Sequence, residues 1–481
     1  MASSTFDVII IGAGISGINV GYHLRTQFPN RSFLILEARD NIGGTWDIFR
    51  YPGVRSDSDM YTFGFQWFPW NQANPIGKGE EIMKYLEDAA TMSEIRQHIR
   101  PSHRVLSSDW NGRGWMLQVQ SPRGIQHLYA QFTIFATGYY DSQRPLEATI
   151  RGLENFQGEI IHPQFWPENF DPVGKNIIVI GSGATAVTLV PSLADIAQSV
   201  TLLQRSPTYL AAVPNEARRN MRWLGGLVPR AFVYHFRRLW SLVMSQLFYS
   251  FCRRFPNAAR AILQAEVKTQ LPPNIPLDPH FMPRYNPWEQ RLCACPDGDF
   301  FKALKSTKAR VATGIISQVD AHGIQLASGE RLDGDTIITA TGLRLQLLGG
   351  IPITIHGRTF DAAASFVWNA LMLEGLPNAM LIMGFVNASW TLGADISMRL
   401  TCRIMKHMWK NGYTSAVPVR AIEQDFPQRP VMDLEATYVK RAAQRLPRAS
   451  TQRPWISRTG YFSDLYFSWL GSIEDGLVFS P

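Results

Sequence analysis

Phe6-Asp7-Val8-Ile9-Ile10-Ile11 runs straight into Gly12-Ala13-Gly14-Ile15-Ser16-Gly17. The first six residues have the length and apolarity of a buried strand, and the glycines after them mark a tight turn. Past the turn, Ile18, Tyr22 and Leu24 recur with helical spacing, and the pattern ends near Pro29. Phe33 to Arg39 then reads as a second strand and carries Glu37. Strand, glycine turn, helix and strand make a βαβ unit with G-x-G-x-x-G in its first turn. Gly12, Gly14 and Gly17 let the backbone approach a pyrophosphate, and the helix N-terminus around Ser16 stabilises its charge. Glu37 follows Gly17 by 20 residues, where a carboxylate can accept the hydroxyls of a ribose. A glycine turn alone can be purely structural; with strand, helix and acid all in place the pattern predicts a bound dinucleotide.

The same arrangement recurs. Ile177 to Ile180 leads into Gly181-Ser182-Gly183-Ala184-Thr185-Ala186, followed by Val187 and a helical stretch to about Ala197. Ala186 replaces the last glycine, a permitted variant. The next strand reads from Val200 to Ser206. Glu37 lies 25 residues after Gly12, and the same offset from Gly181 reaches Ser206, beside Arg205. A carboxylate there would repel a 2′-phosphate, whereas Arg205 would attract it. The alternative for Arg205 is a solvated charge at a strand end. The switch in charge predicts NADPH at the second site and a nucleotide with a free ribose, FAD, at the first.

Two such units predict an α/β fold of two Rossmann-like dinucleotide-binding domains with a helical insertion. Ala136-Thr137-Gly138 and Ala340-Thr341-Gly342 each end an apolar strand, which suggests a discontinuous layout. The FAD domain is expected over residues 1–140 plus 335–481, the NADPH domain over 141–210 plus 275–334, and the helical insertion over 211–274.

The 481 residues suffice for a large core, and 45% are apolar. The formal charge of +8 suits an anionic partner. No zinc-finger or other metal-ligand spacing and no lysine block occurs, so neither a metal site nor nucleic acid is expected. Four cysteines, without C-x-x-C spacing, suggest a reducing, cytoplasmic setting. An apolar strand starting at Phe6 leaves no room for a signal peptide. The uncharged run Leu239 to Cys252 is too short to span a bilayer. In the insertion, Phe232, Phe236, Leu239, Trp240, Val243, Leu247 and Phe251 recur at near-helical spacing. Arg218, Arg219, Arg222, Arg230, Arg237, Arg238, Arg253, Arg254 and Arg260 face only Glu216 and Glu266 as acids. The preferred reading packs this stripe over the active site with a solvated basic rim. The alternative is a basic amphipathic surface making peripheral contact with anionic lipid.

Two further motifs carry a resemblance to a known family. Phe156, Gly158, His162, Trp166 and Pro167 match F-x-G-x-x-x-H-x-x-x-W-P. Gly43-Gly44-Thr45-Trp46, Tyr51-Pro52-Gly53 and Asp57 match a second signature. In both, the chain resembles the Baeyer–Villiger monooxygenases, which are class B flavoproteins, and in particular the subgroup of the mycobacterial ethionamide-activating monooxygenase. The resemblance runs over essentially the whole chain. It implies that NADPH reduces FAD, that O₂ adds to form a C4a-peroxyflavin, and that one oxygen is inserted into a ketone to give an ester or lactone. The substrates implied are small apolar ketones, with thioethers or thioamide-like compounds oxidised at sulfur. The family's catalytic arginine corresponds to Arg291, and Asp57 to the carboxylate that positions it and the nicotinamide. Gly44, Thr45, Trp46 and Asp47 are expected to line the FAD site, and Val105, placed at a strand end, to meet the adenine. His162 is expected to couple domain movements rather than to transfer protons. The rival readings are a flavin monooxygenase acting mainly on S or N and, remotely, a pyridine-nucleotide disulfide reductase using Cys293 and Cys295.

Overall fold

The computed structural model describes residues 4–215, 230–421 and 427–481. Arg218, Arg219, Arg222 and Glu216 of the basic insertion lie outside the described residues, as does the side chain of Arg230.

The strand Thr5–Ile11 occupies the interior of a nine-stranded sheet. It runs parallel to Phe33–Leu36, with Val8 opposite Phe33, and to Gly124–Phe135, with Ile9 opposite Thr133. Parallel strands with both faces covered read as unbroken apolar runs, and this strand behaves accordingly. Val8 and Ile10 face one core, beneath the helices Ile15–Gln27 and Trp390–Asn411, while Ile9 and Ile11 face another. An antiparallel meander of Arg104–Trp110, Trp115–Ser121 and Gly124–Phe135 extends the sheet on one side. Ala379–Leu381 adds a further parallel strand to Gly124–Phe135.

A second, wholly parallel sheet has the order Ala309–Thr313, Ser199–Gln204, Asn176–Ile180, Thr336–Thr339, Glu159–Ile161. Its strands are again divided between two cores, Ile177 and Val179 on one face, Ile178 and Ile180 on the other. The α/β class and the pair of Rossmann-like units expected from the sequence are both present.

One expected boundary moves. The strand Thr336–Thr339 was assigned, from residue 335 onward, to the first unit, yet it is an interior strand of the second sheet. Four consecutive buried residues suit that interior place, and the Asp335 carboxylate pins its start by accepting the Asn176 amide at 2.7 Å. The chain therefore returns after residue 339. The two Ala-Thr-Gly segments are thus equivalents. Each lies against the glycine turn of its own sheet, Ala136 against Gly12 and Ala340 against Gly181.

The insertion contains the helices Arg230–Arg254 and Pro256–Gln270. The longer helix docks on the first unit. Arg238 Nη1 donates to the carbonyls of Tyr61 at 2.7 Å and Gly64 at 2.9 Å, closing the short helix Met60–Phe63. Here the preferred packing reading holds only in part. Phe232, Phe236, Leu239, Trp240 and Leu247 of the stripe point to solvent, Val243 and Phe251 are half-buried, and Tyr234 and Leu242 face inward. Buried hydrogen-bonding groups on Tyr234 and Arg238 hold the helix in that rotation. Among the described residues, no helix is long and apolar enough to cross a membrane.

Candidate active site

Gly12 takes φ +104°, and a Cβ there would lie 2.7 Å from the Ala136 carbonyl oxygen. At Gly17 a Cβ would come within 1.9 Å of the Gly12 carbonyl oxygen, so helix and strand approach too closely for any side chain. The helix begins at Ile15 with Gly14 as its cap, no side chain satisfies its first amides, and no acid sits in its first turn. Those donors remain available to an anion. Glu37 is buried at the end of the next strand, where it accepts the amides of Ala13 at 2.7 Å and Arg39 at 3.0 Å. Burial pushes its pKa up, and these amide bonds offset only part of that. The carboxylate therefore fixes the glycine turn as well as facing the ribose position.

Gly44 approaches the same turn, its Cβ position 3.1 Å from the Gly14 Cα. The exposed Thr45 opens the short helix Thr45–Ile48. Trp46 is half-buried, edge-on to Phe63 at 5.7 Å. Asp47 is buried between Arg39, 2.7 Å away, and Arg50, 3.3 Å away, so its oxygens are engaged in ion pairs. Val105 is the second residue of Arg104–Trp110, and its side chain is in the core. The bare helix N-terminus, the close glycines and the strand-end acid fit FAD.

The second turn repeats the first. Gly181 takes φ +143° with a Cβ position 2.2 Å from the Ala340 carbonyl oxygen. Gly183 caps the helix Ala184–Ala194, again without a side-chain cap or an acid in the first turn. A Cβ on Gly183 would meet no atom within 4 Å, and Gly183 and Ala184 are exposed. Ser182 and Thr185 are half-buried, whereas Ala186 and Val187 are packed into the core and support the turn from behind. Arg205 and Ser206 are exposed just past the strand Ser199–Gln204. This open amide-rich turn with a cation beside it fits a second, phosphate-rich dinucleotide.

Arg291 brings the two turns together. Its Nη1 lies 2.8 Å from Asp57 Oδ2, in a pair that keeps about a third of each side chain open, 34% and 38%. Burial acts to lower the Arg291 pKa, but Asp57 and the hydroxyls of Tyr139, Tyr140 and Tyr438 more than offset it, so the guanidinium stays charged. The Tyr139 and Tyr140 hydroxyls are 2.6 Å apart. Burial carries the Tyr140 pKa well above its ordinary value and pushes Tyr438 up to about 12. Tyr139 stacks on Trp390 at 5.0 Å, and Trp390 Nε1 donates to Ser16 Oγ at 2.8 Å. Stacking and hydrogen bonds therefore run from the first helix N-terminus to Tyr139 and Tyr140, whose hydroxyls act electrostatically on Arg291. From the other side, Arg205 reaches Thr437, next to Tyr438, at 3.4 Å. Tyr51, pushed up to about 12 mainly by burial, bonds the Thr185 hydroxyl and so links the first signature to the second turn.

The Phe156–Pro167 signature surrounds the crossing between the two sheets. Phe156 is core, and Gly158 passes so close to the Asp335 carbonyl oxygen that a Cβ would lie 2.4 Å from it. Gln164 donates to the Asp141 carbonyl at 2.7 Å. His162 Nδ1 accepts the Gln164 amide at 3.2 Å. Burial lowers the His162 pKa, with the main chain of Gly342 acting the other way. Trp166 packs edge-on against Phe170 at 5.3 Å, and Pro167 accepts the Phe170 amide at 3.4 Å. Cys293 and Cys295 are separate thiols, and burial pushes Cys293 up to about 12. Buried thiols held protonated are poor nucleophiles for disulfide exchange.

Sequence reasoning missed Tyr139, Tyr140, Tyr438 and Trp390, and it named Tyr51 only as part of a signature. Tyr139 and Tyr140 directly follow Ala136-Thr137-Gly138, so their place beyond a glycine-turn strand was a usable signal. No sequence pattern links Tyr438 to Arg291.

Comparison with known proteins agrees with this geometry. Residues 9–219 match a family described as pyridine nucleotide-disulphide oxidoreductase. The chain is 42% identical to the FAD-containing monooxygenase EthA of Mycobacterium tuberculosis, over 98% of this chain and 97% of that protein. It is 39% identical to the probable FAD-binding monooxygenase AlmA of Acinetobacter baylyi, over 98% and 95%. Among solved structures, oxidised steroid monooxygenase bound to NADP superposes with a TM-score of 0.77 at 21% identity, covering 99% of each chain. Cyclohexanone monooxygenase with bound ε-caprolactone does so at 0.74 and 20%, covering 99% of this chain and 100% of that one. With full-length similarity to EthA and AlmA and the fold of the Baeyer–Villiger monooxygenases, the chain belongs to the FAD-containing monooxygenases.

Proposed function

We propose that this FAD-containing monooxygenase draws its electrons from NADPH and inserts one oxygen atom of O₂ into apolar ketones, giving esters or lactones, with oxidation of thioether or thioamide sulfur as a second activity. The observation that carries the reading is the charged Arg291–Asp57 pair, related through Tyr139 and Trp390 to the first helix N-terminus and through Tyr438 and Thr437 to Arg205 beyond the second glycine turn. FAD supplies the redox chemistry that activates O₂. Gly12, Gly14 and Gly17 hold its pyrophosphate against the helix N-terminus, and Glu37 accepts its ribose hydroxyls. Gly181 and Gly183 serve NADPH in the same way, while Arg205 binds the 2′-phosphate. Asp57 orients the guanidinium of Arg291, which stabilises negative charge developing on the substrate oxygen. Tyr139 and Tyr140 close the far side with buried hydroxyls and limit water around that charge. His162, its pKa lowered by burial, bonds the main chain at the crossing between the units. The FAD unit then comprises the nine-stranded sheet, and the NADPH unit the five-stranded sheet.

The test uses the purified flavoprotein with NADPH, ¹⁸O₂ and a mixture of a ketone and a thioether, read by mass spectrometry. Ester carrying one ¹⁸O is the expected product. Labelled sulfoxide with no ester from any of several ketones would replace this reading with heteroatom oxygenation.

A further inference from the structure

Trp288 holds a backbone conformation that tryptophan rarely takes. Its φ is +70°, in the left-handed region that favours glycine. It is the third residue of the turn Asn286-Pro287-Trp288-Glu289, which the Glu289 amide closes by donating to the Asn286 carbonyl at 3.1 Å. A turn with proline second and a positive φ third normally carries glycine in that third place. A bulky residue there is strained, and it persists only where the surrounding structure over-determines it. Three residues further on, the same segment delivers Arg291.

Glu289 supplies the over-determination. One carboxylate oxygen accepts the main-chain amide of Asn286 and the other its side-chain nitrogen, both at 2.8 Å. The two ends of the turn are thus clipped together across Trp288. Asn286 Oδ1 accepts in turn from Arg260 Nη2 at 2.8 Å, and Arg260 belongs to the insertion helix Pro256–Gln270. From the other insertion helix, Tyr249 meets the Trp288 ring edge-on at 5.4 Å.

The main chain of the same residue makes a second tie. The Glu289 carbonyl accepts the Glu435 amide at 2.9 Å. Two residues after Glu435, Thr437 meets Arg205, and one residue later Tyr438 acts on Arg291. Glu289 therefore stands where the segment carrying Arg291, the insertion and the segment around Tyr438 are joined. A group that must face developing negative charge gains from such fixing, because its worth depends on being aimed before the reaction begins.

We propose that Glu289 is a positioning residue: its carboxylate holds the strained turn and thereby sets where the guanidinium of Arg291 points. The inference rests on the role proposed for Arg291, and it gives the insertion a part in that role, since Arg260 holds the far side of the clamp. The test is a double-mutant cycle on the purified flavoprotein, read as oxygenated product. Glu289→Ala should lower kcat and kcat/KM together by about ten- to a hundredfold, as displacing a group that acts in the transition state does, and should keep the flavin spectrum. Glu289→Gln, with one accepting oxygen left, should lose less. In an Arg291→Ala background Glu289→Ala should cost about twofold at most, because nothing remains for it to aim. A further loss of about tenfold in that background would mark a general structural role and overturn the proposal, as would parental kcat in Glu289→Ala. If Glu289→Ala does not fold, Asn286→Ala cuts the same clamp from its other side and enters the same cycle with the same expected outcome. The cycle runs on whichever product the parent forms. A parent giving sulfoxide and no ester would therefore overturn the ketone reading alone, whereas Arg291→Ala as active as the parent would overturn both.

Discussion

Arg291 concentrates the consequences that belong to single residues. It is held by Asp57 and ringed by three tyrosine hydroxyls, so its charge is insensitive to pH across any working range. Removing a cation aimed at developing negative charge costs on the order of a hundredfold or more in rate. Arg291→Ala should therefore retain its flavin and lose ester formation by at least about that factor; steady-state product analysis decides, and normal ester yield would dismiss the residue. The role proposed for Arg205 is the choice of coenzyme. Replacing it with Glu should lower the NADPH-to-NADH preference in kcat/KM by about ten- to a hundredfold, the worth of a charge-assisted bond, and an unchanged ratio would return Arg205 to the solvent. The basis for anticipating these two residues differs. Arg205 follows from an offset within a repeated motif, which needs no structure. Arg291 was reachable only through family resemblance, because nothing local in Trp288-Glu289-Gln290-Arg291 distinguishes it from a surface cation. The tyrosines around it come from residues 139–140 and 438, a separation that no local pattern bridges.

At the scale of elements, the glycine turns were fully legible, since their spacing, their flanking apolar runs and their bare helix N-termini are all local properties. Gly17 has the least room of these. A methyl group there would overlap the Gly12 carbonyl, so Gly17→Ala should destabilise the protein by about 1–3 kcal/mol, as overpacking does, and release flavin; thermal melting with flavin fluorescence would register both. The long helix of the insertion was only half legible. Its periodicity was evident, but periodicity does not say which face is buried. Arg238 answers that, through its bonds to the carbonyls at the end of Met60–Phe63. Arg238→Leu leaves those carbonyls and Asp395, 3.7 Å away, without the guanidinium and should cost about 2–3 kcal/mol. A melting temperature equal to the parent's would show that the helix is held by its apolar contacts alone.

At the scale of the whole molecule, two sheets joined by crossings near residues 141 and 342 make His162 a point of pH sensitivity. Burial lowers its folded-state pKa below the ordinary value. Its contribution to stability is complete above about pH 6.5 and is lost as the pH falls towards the lowered folded value. His162→Asn, which keeps an acceptor for the Gln164 amide, should lose less melting temperature than the parent between about pH 7.5 and 5.5. Equal losses would remove His162 from the account. The misplaced boundary at residue 335 belongs to this scale as well. Both Ala-Thr-Gly strands look alike in the sequence, and only pairing with Asn176–Ile180 identifies the sheet that the later one completes.

That pairing also governs the order in which a nascent chain can become a protein. The second glycine turn is synthesised by residue 186, yet the interior strand beside it is not made until residues 336–339, and the first sheet still awaits Ala379–Leu381. Neither nucleotide site can be finished while the ribosome is within its first three hundred or so residues, and both must close late and nearly together. A chain arrested before residue 336 should therefore be an aggregation-prone, protease-sensitive intermediate rather than a smaller working flavoprotein.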